Sequence, residues 1–386
     1  MEKKPIIYFG NDWFGENKTS SHHIAEYLAA DHAVLYVECP GLRMPQGNKR
    51  DVKKIISKII KSFSAPRRIN SNFWIYTLFQ IPLHKYSFIR KLNEKLILYA
   101  IKRIIAKLDF IDPLLWFHIP HLFMVPGKLQ AKGVVYYCID SYSSLPNVDK
   151  RAVQSMDDEM TRVADVVFVS SEPLYDKKKQ SARHLFLSPH GVDFEHFSSA
   201  SSHLPVPKDI ALFKKPVIGF WGLIENRVDL ELIKYLATRN PEWTIIMIGH
   251  VAVQENPCAK LDNVQFLGPK NYTELPVFAR IFDVAILPYK QNEFVFHCNP
   301  IKLREYLATG KPAVSTRYPE IEKYQDVIAI ADGYEDFSEK ITWYLDNDSP
   351  EMAALRTVRV QAESWDNRVK EIRRIVTNQF YSEADL

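Results

Sequence analysis

The sequence predicts an α/β protein of two Rossmann-like domains with a cleft between them, and three observations predict it. Short β-branched and aromatic runs alternate with helical patterns along the whole chain, the pattern of βαβ units. Most of these runs are continuously apolar, which is how strands buried on both faces read. The Ser- and Pro-rich stretch 198–215, without a clear strand, separates the runs into two sets. A length of 386 residues suits two domains, each with its own core.

In order, the first half offers IIYFG (6–10), HAVLYVE (32–38), FWIYTLF (73–79), LLWFH (114–118), VVYYCI (134–139), VVFVS (166–170) and HLFLS (184–188). The second offers PVIGFWG (216–222), WTIIMIG (243–249), NVQFLG (263–268), VAILPY (284–289), PAVST (312–316) and VIAIA (327–331). In doubly wound sheets ligands bind beyond the carboxyl ends of strands, so the chemistry is expected in the loops that follow these runs. No G-x-G-x-x-G and no G-x-x-x-x-G-K-[ST] occurs after any of them, which removes the main support for a dehydrogenase or a P-loop NTPase.

Composition narrows the class further. Hydrophobic residues make up 46% and charged residues 25%, so disordered and low-complexity classes are excluded. Cys39, Cys138, Cys258 and Cys298 lie far apart with no CxxC pair, so neither a disulfide framework nor a zinc site is readable. The cysteines suit a reducing cytosol. The opening MEKKPIIYFGND does not read as a signal peptide. No apolar run approaches the ~18 residues of a membrane span. Residues 49–107 stand apart: fifteen Lys or Arg against Asp51 and Glu94 make the segment +13, although the whole chain is only +4. Within it, Ile55, Ile56, Ile59, Ile60 and Phe63 share one helical face opposite lysines, and 84–107 repeats the pattern through Ile97, Ile101, Ile104 and Ile105. Such helices suit an anionic membrane interface, the expected partner here in place of nucleic acid; the alternative packs both stripes on the first domain.

The richest segment is 284–316. After VAILPY and the loop KQNEFVFHC come Asn299, Pro300, Ile301, Lys302, Leu303, Arg304, Glu305 and Tyr306, closed by Gly310. Asn299 suits an N-cap, Pro300 a first helical turn and Gly310 a C-terminal stop. A helix N-terminus with Lys302 beside it is suited to a diphosphate, and Glu305 follows on the same face. An ordinary capped helix with a surface Lys–Glu pair is the competing reading. In the first half, IIYFG runs into Asn11, Asp12 and Trp13, with Ser20 or Ser21 able to cap a helix that begins at His22 and His23. Asp140 directly follows VVYYCI, where a general base for an acceptor hydroxyl would be rooted; an Asx-turn is its alternative. His118 and His121 flank another strand end.

NPIKLREYLATGKPAVST resembles the donor-nucleotide helix of GT-B glycosyltransferases, especially family 4 and its relatives. PVIGFWGLIENRVDLELIKYLATRNPEWTIIMIG resembles the opening of their C-terminal domain. RVADVVFVSSEPLYDKK with HLFLSPHGVDFEHF resembles the end of their N-terminal domain, and SWDNRVKEIRRIV their final helix. VVYYCIDSYSSLP resembles bacterial exopolysaccharide and teichuronic-type enzymes, with similarity also to the glucuronosyltransferase of xanthan synthesis. The order of these pieces covers nearly the whole chain except 45–110.

The resemblance implies a GT-B fold with domains at 1–200 and 208–365 and a helix, 366–386, returning to the first. It implies that Lys302 holds a diphosphate, Glu305 the ribose, and Asn299 and Pro300 the helix N-terminus. Tyr289 would line the pocket, Gly222 admit the diphosphate, and Arg227 add a charge to it or remain a solvated arginine. Asp12, Ser21 and His22 would border the acceptor or phosphate. Retaining members of family 4 commonly carry a second glutamate eight positions before Glu305, and His297 stands there instead. The expected activity is transfer of a sugar from a nucleotide-diphosphate donor, UDP-linked, to a lipid-linked or saccharide acceptor in bacterial surface polysaccharide synthesis. It is expected without cofactor or metal, inverting with Asp140 as base, at the cytoplasmic face of the plasma membrane. A nucleotide-sugar epimerase of the same fold and a non-catalytic sugar-binding relative are the alternatives.

Overall fold

The computed structural model describes residues 4–14, 18–39, 64–81, 86–199 and 212–381. They divide into two compact units: residues 1–189 with 369–386, and residues 190–368. Each of the thirteen apolar runs contains a strand. In the first unit these are β1 (Ile6–Gly10), β2 (Val34–Glu38), β4 (Phe73–Thr77), β5 (Leu114–Phe117), β6 (Gly133–Cys138), β7 (Val166–Val169) and β8 (Leu185–Leu187). The two-residue β3 (Arg67–Arg68), which no apolar pattern announces, pairs antiparallel with β4 at the sheet edge. The second unit holds β9 (Val217–Trp221), β10 (Thr244–Ile248), β11 (Val264–Gly268), β12 (Val284–Leu287), β13 (Ala313–Thr316) and β14 (Ala329–Ala331).

The strand orders are β3-β4-β2-β1-β5-β6-β7-β8 and β11-β10-β9-β12-β13-β14, all parallel but β3. In both sheets the chain starts in the middle, builds outward one way, and then returns to build the other way. The resulting switch points lie between β1 and β5 and between β9 and β12, where doubly wound sheets take their ligands.

The helices follow as α1 (Ser20–Ala29), α2 (Ser87–Leu108), α3 (Lys150–Val163), α4 (Glu172–Lys178), α5 (Phe194–Ser198), α6 (Leu230–Arg239) and α7 (Leu275–Ile281). Then come α8 (Glu293–Phe296), α9 (Ile301–Ala308), α10 (Pro319–Glu322), α11 (Tyr334–Asn347), α12 (Pro350–Gln361) and α13 (Trp365–Phe380).

The first unit shows how register becomes packing. Tyr8 is in register with both Tyr36 and Trp116, so its ring stacks between theirs at 5.3 and 5.8 Å. The opposite face presents Ile7, Phe9, Leu35, Val37, Leu115 and Phe117, all fully buried. Ile97, Ile101 and Ile104 of α2 cover that face, with Ile105 packed against it. This corrects the expectation that this stripe meets a membrane, because an uncovered sheet face takes it first. The companion stripe 53–63 lies outside the described residues. On the same face Lys178 and Asp157 form a buried ion pair at 2.7 Å, with Tyr136 donating to Asp157 at 2.6 Å and Lys178 to Thr161 at 2.9 Å.

The division at residues 189 and 190 corrects the expected boundary at 200–208. Val192 already bonds into the second unit, donating to the Glu363 carbonyl and accepting from Trp365 N–H. The last helix divides too, its part from Val369 onward counting with the first unit. There Arg373 pairs with Asp31 at 2.8 Å. Among the described residues no helix is long and apolar enough to cross a membrane.

Candidate active site

The second unit gathers its polar groups at the switch point. β9 ends in Gly222 at φ +137° and β10 in Gly249 at φ +140°, conformations that L side chains rarely adopt. At Gly249 space requires glycine as well, because a Cβ there would lie 1.9 Å from the Gly222 carbonyl; a Cβ on Gly222 would lie 1.9 Å from Lys302 Cε and would displace that side chain. The two loops therefore nest, with the Lys302 stem lying across Gly222. Lys302 is half-buried and occupies the first turn of α9. Among the described residues no ion pair or hydrogen bond engages its ammonium.

Glu305, one turn further, is buried, and its Oε2 accepts from the Trp221 indole N–H at 2.7 Å. Burial pushes its carboxyl pKa up, while the indole and the Lys302 charge pull it partly back. Trp221 N–H donates in turn to the Tyr306 hydroxyl at 3.0 Å, so the end of β9 is fastened to α9 from both sides.

The start of α9 differs from the expectation. Its N-cap is Pro300, which has no capping side chain, and the helix begins at Ile301. Asn299 is buried and turned inward: its Oδ1 accepts from Arg304 at 2.8 Å and from His190 N–H at 3.2 Å, while its amide donates to Glu320 at 2.8 Å. The buried Arg304 guanidinium draws the side chain in, so Asn299 braces the helix start and leaves the first-turn N–H groups uncapped. Arg304 also donates to Glu363 at 2.6 Å and to the Pro300 carbonyl at 3.1 Å. Beside it, burial and the charges of Arg304 and Arg368 push the His190 pKa down to about 3, so that ring is neutral.

The remaining donor-side candidates lie on the segments that follow β9 and β12. Tyr289 is buried after β12, and its carbonyl accepts from Thr316 at 2.7 Å. The Arg227 guanidinium lies over the rings of Tyr289 and Phe294, at 5.9 and 5.5 Å. It pairs with Glu225 at 3.2 Å, so its charge is already countered. His297 closes α8, its Nδ1 2.7 Å from the Glu293 carbonyl. A carbonyl only accepts, so Nδ1 carries the proton.

The first-unit candidates are mostly spent on structure. Thr19, not Ser20 or Ser21, caps α1, in a reciprocal box with His22. His22 Nδ1 accepts from Thr19 N–H at 3.0 Å and Nε2 donates to the Asp12 carbonyl at 3.1 Å. Burial pushes its pKa down, so the ring is a neutral staple with both nitrogens engaged. Ser21 is buried against the Tyr36 hydroxyl at 2.7 Å, and that hydroxyl donates to the Asn11 carbonyl. His118 is buried and stacked between Tyr8 and Tyr137, and His121 is buried as well. Asp12 is exposed after β1, and Asp140 is half-buried two residues beyond β6.

Sequence reasoning missed Trp221, Gly249, Arg304 and Glu363 as parts of the site. Trp221 and Gly249 end runs already recognised, and the strand-end rule reaches them. Glu363 lies 59 residues from its partner Arg304, and no local pattern signals it.

Against known proteins, residues 215–347 match the family described as Glycosyl transferases group 1. Sucrose-phosphate synthase from Thermosynechococcus elongatus shares the fold at TM-score 0.73 and 14% identity, over 98% of this chain and 99% of that one. Anabaena Alr3699/HepE, solved in complex with UDP and glucose, does so at TM-score 0.68 and 13% identity, over 97% and 99%. The chain thus shares the fold of these structures over nearly its whole length, and the group 1 match lies within the second unit. Among curated relatives, the chain is similar to the teichuronic acid biosynthesis glycosyltransferase TuaH of Bacillus subtilis (strain 168), 28% identical over 276 residues. That match covers 67% of this chain and 66% of TuaH, just under two thirds of the relative's length.

Proposed function

We propose that the chain transfers a hexosyl or glucuronosyl residue from a UDP-sugar to a lipid-linked or saccharide acceptor in bacterial surface polysaccharide synthesis. The observation that carries this reading is Lys302: a half-buried cation that makes no ion pair or hydrogen bond among the described residues, laid across Gly222 at the uncapped start of α9. A diphosphate supplies the missing charge and accepts from the first-turn N–H groups. Glu305, held by Trp221, is placed to accept from ribose hydroxyls. The name of TuaH supports a surface-polysaccharide acceptor, and the UDP in the Alr3699/HepE complex supports the donor base.

In this mechanism the acceptor hydroxyl gives its proton to the Asp140 carboxylate while its oxygen bonds to the anomeric carbon. The carbon–phosphate oxygen bond breaks, and UDP leaves with the electron pair, stabilised by Lys302 and the helix N–H groups without a metal. The anomeric centre inverts. The protein works at the cytoplasmic side of a membrane, bound through 49–107.

A UDP-sugar panel tests the reading. Transfer that persists in EDTA and yields an inverted anomer is expected. Asp140→Asn should lower the rate by ~10²–10⁴ with donor affinity nearly unchanged. A product anomer matching the donor's overturns the role of Asp140. Epimerised donor without transfer would establish the epimerase reading instead.

A further inference from the structure

A cavity of about 530 Å³ opens between the segment leading into β14, the helix α11 and the helix α12. Val327, Ile328, Trp343, Met352 and Leu355 are among its lining. The apolar wall continues outside it. Met352, Leu355 and Val358 follow at three-residue spacing on α12, and Trp343, Leu355 and Val358 are 50%, 63% and 67% exposed. Apolar exposure gathered in this way marks a contact surface rather than a solvated pair of helices.

The charge around the cavity is one-sided. Residues 325–356 hold eight carboxylates against two cations, Lys340 and Arg356. Both cations are spent internally. Arg356 donates to the Asp348 carboxylate at 2.7 and 2.9 Å and to the Gly310 carbonyl at 2.9 Å. Lys340 pairs with Asp336 at 2.5 Å and donates to the Ile330 carbonyl at 2.7 Å. From outside the segment, Arg359 is divided between Asp326 at 3.3 Å and Glu363 at 2.8 Å. Glu339 and Asp346 stand exposed on α11, one turn either side of Trp343. Among the described residues neither carboxylate makes an ion pair or hydrogen bond.

These carboxylates repel an anionic ligand, and among the described residues no group of His, Cys, Asp and Glu converges to hold a metal ion. A small organic cation fits the cavity but leaves Val358 uncovered beyond it. From Met352 to Val358 the α12 stripe runs about 9 Å, the length of nearly two turns of a facing helix. We infer that this groove docks a basic amphipathic helix of a partner protein, its apolar face against Trp343, Leu355 and Val358 and its lysines or arginines paired with Glu339 and Asp346. Helices enter protein grooves in this way, anchored by apolar residues at three- and four-residue spacing. The inference goes beyond the transferase reading, none of whose residues lines the cavity.

The full chain is titrated by calorimetry with an amidated peptide of leucine and lysine, about fourteen residues long with the leucines on one helical face. Its counterpart with glutamate in place of lysine is the control. One lysine peptide should bind per chain, at least about tenfold tighter than the glutamate peptide. Leu355→Ser with Val358→Ser should weaken that binding about tenfold or more. Glu339→Lys with Asp346→Lys should weaken it as much and turn the preference towards the glutamate peptide. All four side chains are exposed, so the melting temperature should not move. Equal binding of the two peptides, or binding unchanged in either double variant, overturns the inference. Self-association of the full chain in sedimentation velocity that both double variants abolish makes a second copy the occupant and overturns the partner protein. UDP binding by the same proteins is measured separately, so failure of the transferase reading is distinguishable.

Discussion

Replacing Lys302 by Met keeps a flexible stem over Gly222 and removes only the charge. In the free protein little should change, because among the described residues the ammonium makes no ion pair or hydrogen bond to lose. Stability should stay within about 0.5 kcal/mol of the wild type, as for substitutions that break no named interaction. With a nucleoside diphosphate the position is different. A charge-assisted hydrogen bond to phosphate contributes about 1.5–3 kcal/mol, so the dissociation constant for UDP should rise roughly 10- to 150-fold. Thermal unfolding then gives a second readout. At a UDP concentration of about 100 times the wild-type Kd, ligand stabilises the wild type by about 2.7 kcal/mol, and a variant 100-fold weaker by only ~0.4 kcal/mol. Calorimetric titration with UDP and the other nucleoside diphosphates measures the first quantity. A UDP affinity unchanged in a fully folded variant would refute the assignment of Lys302 to phosphate.

Glu305→Gln should stabilise the free protein at neutral pH while weakening nucleotide binding. The folded-state pKa of Glu305 is raised mainly by burial, so its stabilising contribution is complete below its unfolded pKa and is lost as pH rises through the folded value; denaturant titrations at pH 4 and pH 8 read the difference. His190, with its pKa pushed down to about 3, acts in the opposite sense: stability is lost as pH falls below about 6.5, by at most ~1.4 kcal/mol per pH unit. His190→Gln should remove that part of the acid slope in urea denaturation between pH 7 and pH 5. Lys178→Met should cost about 3–5 kcal/mol by leaving Asp157 buried without its partner, and adding Asp157→Leu should recover much of it; a thermal melt of both variants checks the pair.

What was legible in the sequence follows from how local each signal is. A strand buried on both faces has to be apolar at every position, so VVYYCI and WTIIMIG read directly, whereas β3 is two exposed arginines paired at the sheet edge. Lys302, Glu305 and Gly222 were legible because a strand end and a helix start each leave a local mark. The cap of α9 was not. Asn before Pro before a helix is the pattern of an N-cap, but Arg304, Glu320 and the His190 backbone all compete for that one amide side chain, and two of these lie far along the chain. The α2 stripe shows the same limit. Periodicity reported an apolar face at Ile97, Ile101 and Ile104, and only the uncovered side of the first sheet decided what it meets.

Lys302 and Arg304 sit two residues apart on α9 and have opposite fates, and the helix geometry explains why. Two residues along a helix turn the side chain by about 200°, so the two cations necessarily point to different sides. Arg304 points into the protein, where a buried guanidinium is tolerable only with its donors engaged; Glu363, Asn299 and the Pro300 carbonyl engage them. Those bonds hold the first turn of α9 in place without using its N–H groups. Lys302 points the other way, over the glycine that admits it, and keeps its charge available. One cation thus fixes the helix start from behind while the other serves it in front. Removing Arg304 should therefore loosen the whole phosphate side of the site, whereas removing Lys302 should leave the frame intact and take away only the charge.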